Sequence, residues 1–123
     1  MQVKDIMSGQ PIAIAPAEPV AAAARVLAQH NIGALPVCSG GQLRGMVTDR
    51  DIVLRCVAAG QDPGQTPVQA VMTRRLITVA PEDPLPIAVQ LMAREQVRRL
   101  PVAQGRRLVG MVSLADLAAP PAC

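Results

Sequence analysis

The sequence repeats itself with a spacing of 65 residues. Residues 45–51 (GMVTDRD) return as residues 110–116 (GMVSLAD), so each copy has a glycine, two apolar residues, a hydroxyl and, three positions later, an aspartate. The same shift aligns residues 3–53 with residues 68–118 without a gap, with roughly one position in three identical. One unit of this size cannot bury both faces of a sheet, so the two copies are expected to share a core.

The local pattern predicts the order β-α-β-β-α in each copy, an α+β fold. Short β-branched runs predict first strands, alanine-rich or apolar-periodic stretches that begin with proline predict helices, and glycine turns predict hairpins. In the first copy these elements are a helical lead-in at 3–7, a strand at 12–14, a helix at 19–30, strands at 35–38 and 43–48, and a helix at 49–59. In the second copy they are a lead-in at 68–72, a strand at 77–79, a helix at 84–95, strands at 100–103 and 108–113, and a final helix cut short by Pro120 and Pro121.

The domain boundaries follow from the repeat. Residues 61–67 (QDPGQTP) contain two prolines and a glycine and are predicted to be a linker. We therefore expect a first repeat at residues 1–60, a second repeat at 68–119 and a C-terminal tail at 120–123.

Composition excludes several classes of protein. The 123 residues include no Phe, Tyr or Trp, so the core must be aliphatic, and the stacking platforms typical of single-strand nucleic-acid binders are missing. A net charge of +3 is no strong nucleic-acid footprint. The chain has no charge-free apolar run long enough for a membrane helix and no signal-peptide pattern at its start, so we expect a cytoplasmic protein without membrane contact.

Catalytic and metal sites are not indicated. His30 is the only histidine and has no evident acidic partner, so no catalytic triad is predicted and the chain is not expected to be an enzyme. His30 and Cys38 are two possible zinc ligands without a third, so no metal site is predicted. The three cysteines (Cys38, Cys56 and Cys123) have no paired spacing, and the sequence assigns them no role.

The repeated hydroxyl and carboxylate allow two interpretations. Thr48 with Asp51, and Ser113 with Asp116, can form capping boxes at two helix starts, with aspartate in place of the usual Glu or Gln. Alternatively, an ionised carboxylate can accept both hydroxyls of a ribose, while the free N–H groups of the helix start face a phosphate. The two interpretations are compatible, and the sequence leaves both open.

Residues 35–37 (LPV) with 45–51, and residues 97–102 (VRRLPV) with 110–116, resemble the CBS domain, so the pair resembles a Bateman module. The resemblance covers nearly the whole chain and extends to small stand-alone bacterial two-CBS proteins. It implies two β-α-β-β-α repeats packed with pseudo-twofold symmetry. It also implies that a ligand such as AMP, ADP, ATP, NAD or S-adenosylmethionine lies between the repeats, with no cofactor required.

The resemblance implies two candidate sites, each drawing its hydroxyl and acid from one repeat and its base contacts from the other. Site A comprises Met46, Thr48, Asp51, Leu76, Ile77, Val97 and Pro101. Site B comprises Met111, Ser113, Asp116, Pro11, Ile12, Ile32, Pro36, Arg50 and Arg98. Relatives that hold AMP often place basic residues at the positions of Arg98 and Arg50, whereas the matching positions of site A are Gly33 and Ala115. Site B is therefore the predicted phosphate-binding site.

The resemblance implies a regulatory module that senses an adenine nucleotide and alters the geometry of a homodimer or of a contact with a regulated protein. The alternative is a ligand-free interaction module, in which the repeated aspartates act only as helix caps.

Overall fold

The computed structural model describes residues 1–118, and residues 119–123, including Pro120, Pro121 and Cys123, lie outside the described part. The helices are α1 (Val20–His30), α2 (Asp49–Ile52, continued by a π-helical turn, Val53–Val57), α3 (Leu85–Glu95) and α4 (Leu114–Ala118). The strands are β1 (Ala34–Ser39), β2 (Gln42–Thr48), β3 (Arg99–Gln104) and β4 (Arg107–Ser113). Two short 3-10 turns, Val3–Asp5 and Val68–Ala70, begin the lead-ins, which continue to Ser8 and Thr73. The α+β class is confirmed, and the order helix, strand, strand, helix recurs in both copies.

The chain divides into two compact units that do not coincide with the two sequence repeats. The first unit is Ile12–Leu76, and the second unit combines Met1–Pro11 with the chain from Ile77 onward. Each lead-in therefore belongs to the unit built from the other repeat. In the first unit the Val68 N–H donates to the Glu18 carbonyl at 2.8 Å, and in the second the Val3 N–H donates to the Asp83 carbonyl at 2.9 Å.

In the first unit, an antiparallel hairpin is covered by α1, α2 and the Val68–Ala70 lead-in. Strands β1 and β2 pair in a register that sets Leu35 opposite Val47, with an irregularity between Val37 and Cys38. The buried cluster is aliphatic, as the absence of aromatic residues requires. Its members are Ile14, Val20, Ala23, Leu27, Leu35, Val37, Val47, Ile52, Cys56, Val68, Val71 and Met72.

The second unit repeats this plan with a different set of side chains. Strands β3 and β4 pair with Leu100 opposite Val112, and the same irregularity recurs between Val102 and Ala103. The buried cluster includes Val3 from the lead-in, and its other members are Val79, Ala88, Met92, Leu100, Val102 and Val112.

The strands predicted at residues 12–14 and 77–79 are wrong in extent. Each is reduced to one bridge, Ile14 to Val37 and Val79 to Val102. Extending the first bridge in either direction would require a backbone N–H from Pro36 or from Pro16, and proline has none. Pro101 and Pro81 occupy the matching positions of the second copy. The prolines thus stop both ladders after a single pair.

The ends of α1 and α3 provide a test of backbone strain. Both helices end in a left-handed residue, Asn31 with φ 51° and Gln96 with φ 56°. Asparagine tolerates this region, whereas glutamine has no local compensation for its Cβ. We expect Gln96→Gly to stabilise the fold by about 0.5–1 kcal/mol in urea denaturation. Asn31→Gly is the matched control and should change stability less; an equal gain at both positions would contradict the strain argument.

Candidate functional site

Both repeated stretches lie where a hairpin strand ends and a helix begins. At the β2–α2 junction the Asp51 N–H donates to the Thr48 Oγ1 atom at 3.0 Å, and the Thr48 N–H donates to the Asp51 Oδ2 atom at 3.0 Å. At the β4–α4 junction Ser113 and Asp116 make the same reciprocal pair, each bond at 3.1 Å. The capping-box interpretation is confirmed for both copies.

The glycine that opens each stretch permits a close backbone contact. A Cβ atom on Gly45 would lie 2.6 Å from the carbonyl oxygen of Thr73, and one on Gly110 would lie 2.6 Å from that of Ser8. The next residue then pairs with the same segment: Met46 and Thr73 exchange backbone hydrogen bonds of 2.9 and 2.7 Å. Met111 and Ser8 exchange bonds of 3.0 and 2.8 Å. These contacts tie each junction to the lead-in of its own unit.

The Asp51 carboxylate is enclosed within the first unit. The Thr73 hydroxyl donates to its two oxygens at 3.2 and 3.3 Å, and the Arg55 Nε atom lies 4.0 Å from its Oδ1 atom. Only 8% of the residue is exposed. The carboxylate is therefore largely shielded from solvent and already accepts two donors.

The Asp116 carboxylate is in a different environment within the second unit. The residue is exposed, while the capping Ser113 is buried. Among residues 1–118, the only donor to its side chain is the Ser113 N–H. An ionised carboxylate has about four acceptor positions, so Asp116 retains accessible acceptor capacity.

The charges around the two helix starts also differ. The Asp49 N–H donates to the Gly33 carbonyl at 3.0 Å, and a Cβ atom on Gly33 would lie 3.4 Å from the Asp49 Oδ2 atom. In the second copy the equivalent bond, at 2.7 Å, joins the Leu114 N–H to the Arg98 carbonyl. The first helix start has the charged pair Asp49 and Arg50 beside Gly33, whereas the second has the uncharged Leu114 and Ala115 beside the exposed Arg98.

The remaining predicted site residues are divided between the two units. The first unit contains Met46, Leu76, Ile12, Ile32, Pro36 and Arg50, and the second contains Ile77, Val97, Pro101, Met111, Pro11 and Arg98. Arg50, Arg98, Ile12 and Leu76 are exposed, whereas Pro36, Pro101 and Met111 are buried. The two complete residue sets therefore stay predictions.

Ile32 also lies in a groove of the first unit. The groove has a volume of about 310 Å³. Its lining comes from α1, from α2 with the turn that follows, and from Ile32 between helix and strand, with Asp49 as its one charged residue. It is an open apolar surface, and one of its lining residues, Val53, is 54% exposed.

Sequence reasoning missed Thr73 and Arg55. Thr73 aligns with Ser8 under the 65-residue shift, and Arg55 stands four residues after Asp51, which is the spacing of helical ion pairs. The spacing of Arg55 could have suggested an ion-pair partner for Asp51. The alignment of Thr73 with Ser8 could not, because the contact between Thr73 and Asp51 depends on how the lead-in folds back within the first unit.

The described cysteines have local roles. Cys56 is buried, with its thiol 3.5 Å from the Gln61 carbonyl, and Cys38 is partly buried on β1. Burial raises the pKa of the Cys38 thiol above its usual value, an effect that the charge of Arg44 partly opposes. Within residues 1–118 no three His, Cys, Asp or Glu side chains are grouped closely enough to hold a metal ion. Nor does any helix in this part have the length and apolarity to cross a bilayer.

Comparison with known proteins agrees with the repeat. The family model of the CBS domain matches residues 3–57 and 68–119. A relative in Bacillus subtilis, CBS domain-containing protein YhcV, is 49% identical over 94% of this chain and 82% of its own length. Hypoxic response protein 1 of Mycobacterium tuberculosis is 38% identical over 94% of this chain and 81% of its own.

Solved structures give the same result. Hypoxic response protein I, solved with two coordinated zinc ions, has a TM-score of 0.85 at 37% identity and covers 96% of this chain and 97% of its own. The CBS domain pair of protein MJ0100, in complex with 5′-methylthioadenosine and S-adenosyl-L-methionine, has a TM-score of 0.82 at 31% identity over 96% of this chain and 93% of its own. The chain therefore belongs to the CBS domain family and contains two CBS repeats.

Proposed function

We propose that this protein is a non-catalytic, cytoplasmic regulatory module that binds an adenosine-containing ligand through the Ser113–Asp116 helix start. The exposed Asp116 carboxylate, held at a helix N-terminus by the buried Ser113, is the observation that carries the proposal. It has acceptors for a ribose diol, and Arg98 stands in the same unit with a charge suited to a phosphate or carboxylate. The related domain pair of MJ0100 holds two adenosyl ligands, which supports this class of ligand.

The remaining contacts of the proposed ligand are those predicted for site B. The base would lie against Pro11, Ile12, Ile32 and Pro36, and Arg50 would add a second cation. Without aromatic residues, aliphatic contact must hold the base, at about 25 cal/mol for each Å² buried. In this proposal the ligand acts by favouring one arrangement of a homodimer or of a regulated partner, to the extent of its differential affinity.

Thermal denaturation with candidate ligands tests the proposal. The chain should be heated with millimolar 5′-methylthioadenosine, S-adenosylmethionine, AMP, ADP, ATP and NAD in turn. A ligand at 100 times its Kd should stabilise the fold by about 2.7 kcal/mol, which raises the Tm by about 10 °C. Adenosine and 2′,3′-dideoxyadenosine form a matched pair for the diol, and only adenosine should act. If none of these compounds changes the Tm, the proposal is wrong.

A ligand-free interaction module is the second candidate. Three large apolar side chains of the turn after α2 are exposed: Val53 by 54%, Leu54 by 51% and Val57 by 64%. Neighbouring exposed apolar residues are typical of surfaces that contact another protein. This candidate predicts no ligand effect but a Tm that rises with protein concentration, because self-association stabilises the folded state by mass action.

A further inference from the structure

Within the first unit, Asp51 is the centre of a network that links α2 to the lead-in at residues 68–73. Its carboxylate accepts the Thr48 N–H at 3.0 Å and the Thr73 hydroxyl at 3.2 and 3.3 Å. Thr48 belongs to the helix start and Thr73 to the end of the lead-in segment. One carboxylate therefore serves two elements that are far apart in sequence.

Arg55 closes the network from the other side. Its Nη1 atom donates to the carbonyl oxygens of Val71 at 3.3 Å and Met72 at 3.1 Å, while its Nε atom lies 4.0 Å from Asp51. The two carbonyls belong to the lead-in segment, and Val71 and Met72 are buried in the core of the unit. The guanidinium thus fastens the segment to α2 at a second point.

The described part of the second unit, up to residue 118, has the same capped helix start without this network. Ser8 aligns with Thr73, and Pro120, which has no donor in its side chain, aligns with Arg55. Ser8 pairs with Met111 through the backbone, as Thr73 does with Met46, yet Ser8 is exposed and no bond joins its hydroxyl to Asp116. Asp116 itself is exposed, in contrast to the 8% exposure of Asp51. The repeat supplies an internal comparison between two capped helix starts whose described surroundings differ.

We propose that Thr73 and Arg55 convert the first copy of the repeated stretch into a structural latch, so that only the second copy receives a ligand. Recruiting Asp51 to a diol would require the Thr73 hydroxyl and the Arg55 side chain to leave the carboxylate. Those bonds to a charged group would then have to be replaced by the ligand. The chain accordingly has one ligand site, at Asp116. The latch is independent of any ligand, whereas the single site rests on the proposed function.

A double-mutant cycle tests the latch without a ligand. Asp51→Ala and Thr73→Val should be made singly and together, and the unfolding equilibrium constant measured in urea. The pair should be coupled by about fivefold or more, the range seen for residues in one hydrogen-bond network. The matched cycle of Asp116→Ala with Ser8→Ala should be additive within about twofold. Additive effects at Asp51 and Thr73, or equal coupling in both cycles, would overturn the latch.

Arg55→Met provides a second test of the latch, because it removes the guanidinium group and retains the aliphatic stem of the side chain. It should raise the unfolding constant in the wild type and raise it less in the Asp51→Ala background. An equal effect in both backgrounds would show that Arg55 acts independently of Asp51, and would remove it from the latch.

Calorimetric titration with 5′-methylthioadenosine tests the single site. One molecule should bind per chain. Two equivalent sites, or one site that survives Asp116→Asn but is lost in Asp51→Asn, would overturn the assignment. If no adenosyl compound binds, the proposed function fails while the denaturation cycles still decide the latch.

Discussion

Replacing Gly110 with alanine should destabilise the fold by about 3 kcal/mol and lower the Tm by about 10 °C. The added Cβ would lie 2.6 Å from the Ser8 carbonyl oxygen and 2.8 Å from the Met7 Sδ atom. The sulfur belongs to a flexible side chain and can move, but the carbonyl cannot move freely, because it accepts the Met111 N–H at 3.0 Å. Relief of the clash must therefore break the pairing between β4 and the lead-in. Urea denaturation and a thermal scan measure the loss.

Gly45→Ala should behave in the same way, because its Cβ would lie 2.6 Å from the Thr73 carbonyl oxygen. Gly9→Ala is the control: a Cβ there would have no atom within 4 Å, and the change should stay within about 0.5 kcal/mol. A Gly110→Ala protein as stable as Gly9→Ala would show that the lead-in can move away at little cost.

Replacing Asp116 with asparagine should weaken the binding of 5′-methylthioadenosine by about 10- to 100-fold. A hydrogen bond to a charged group contributes about 1.5–3 kcal/mol, and each 1.4 kcal/mol is tenfold in Kd. Asparagine keeps the size of the side chain and one oxygen acceptor but loses the charge and the second acceptor. Isothermal titration calorimetry gives both the Kd and the number of sites.

Asp51→Asn, measured in the same titration, distinguishes the role of the first aspartate from that of the second. The Kd of this variant for 5′-methylthioadenosine should change by less than about threefold. Its free energy of unfolding should fall by about 1–2 kcal/mol, because Asp51 accepts hydrogen bonds from the Thr48 N–H of the helix cap and from the Thr73 hydroxyl. Glu82→Gln, at an exposed acid outside both helix starts, controls for the loss of one negative charge. Weaker binding in Asp51→Asn than in Asp116→Asn would contradict the assignment of the ligand to the second copy.

Most of the fold could be predicted because its signals are local. Alanine-rich and apolar-periodic stretches that begin with proline predicted α1 and α3 to within one residue, and glycine turns predicted both hairpins. The first strands were wrong because β-branched composition indicates an extended backbone but not the number of paired residues. The prolines at 16 and 36 set that number, through N–H groups missing on both sides of Ile14.

The candidate site, like the fold, could be predicted only where its signals are local in sequence. The two capping boxes were predicted, because a hydroxyl and an acid three residues apart meet within one helical turn. The enclosure of Asp51 was not, because Thr73 is 22 residues away in sequence and reaches it only when the lead-in folds back. The inequality of the two sites was inferred from Arg50 and Arg98, whose counterparts in the other site are the uncharged Ala115 and Gly33. The enclosure of Asp51 supplies a second and independent reason for it.

The assignment of each lead-in to the opposite unit constrains how such a chain can be divided or recombined. Cutting within residues 61–67, where the repeats meet in sequence, would deprive the first unit of three buried residues, Val68, Val71 and Met72. The second unit would in turn lose Val3, which is fully buried within it. Neither half of the duplicated sequence carries its own complete core. Because each half contributes its lead-in to the unit built from the other half, the two halves depend on each other. A functional exchange of modules between proteins would have to transfer both halves at once.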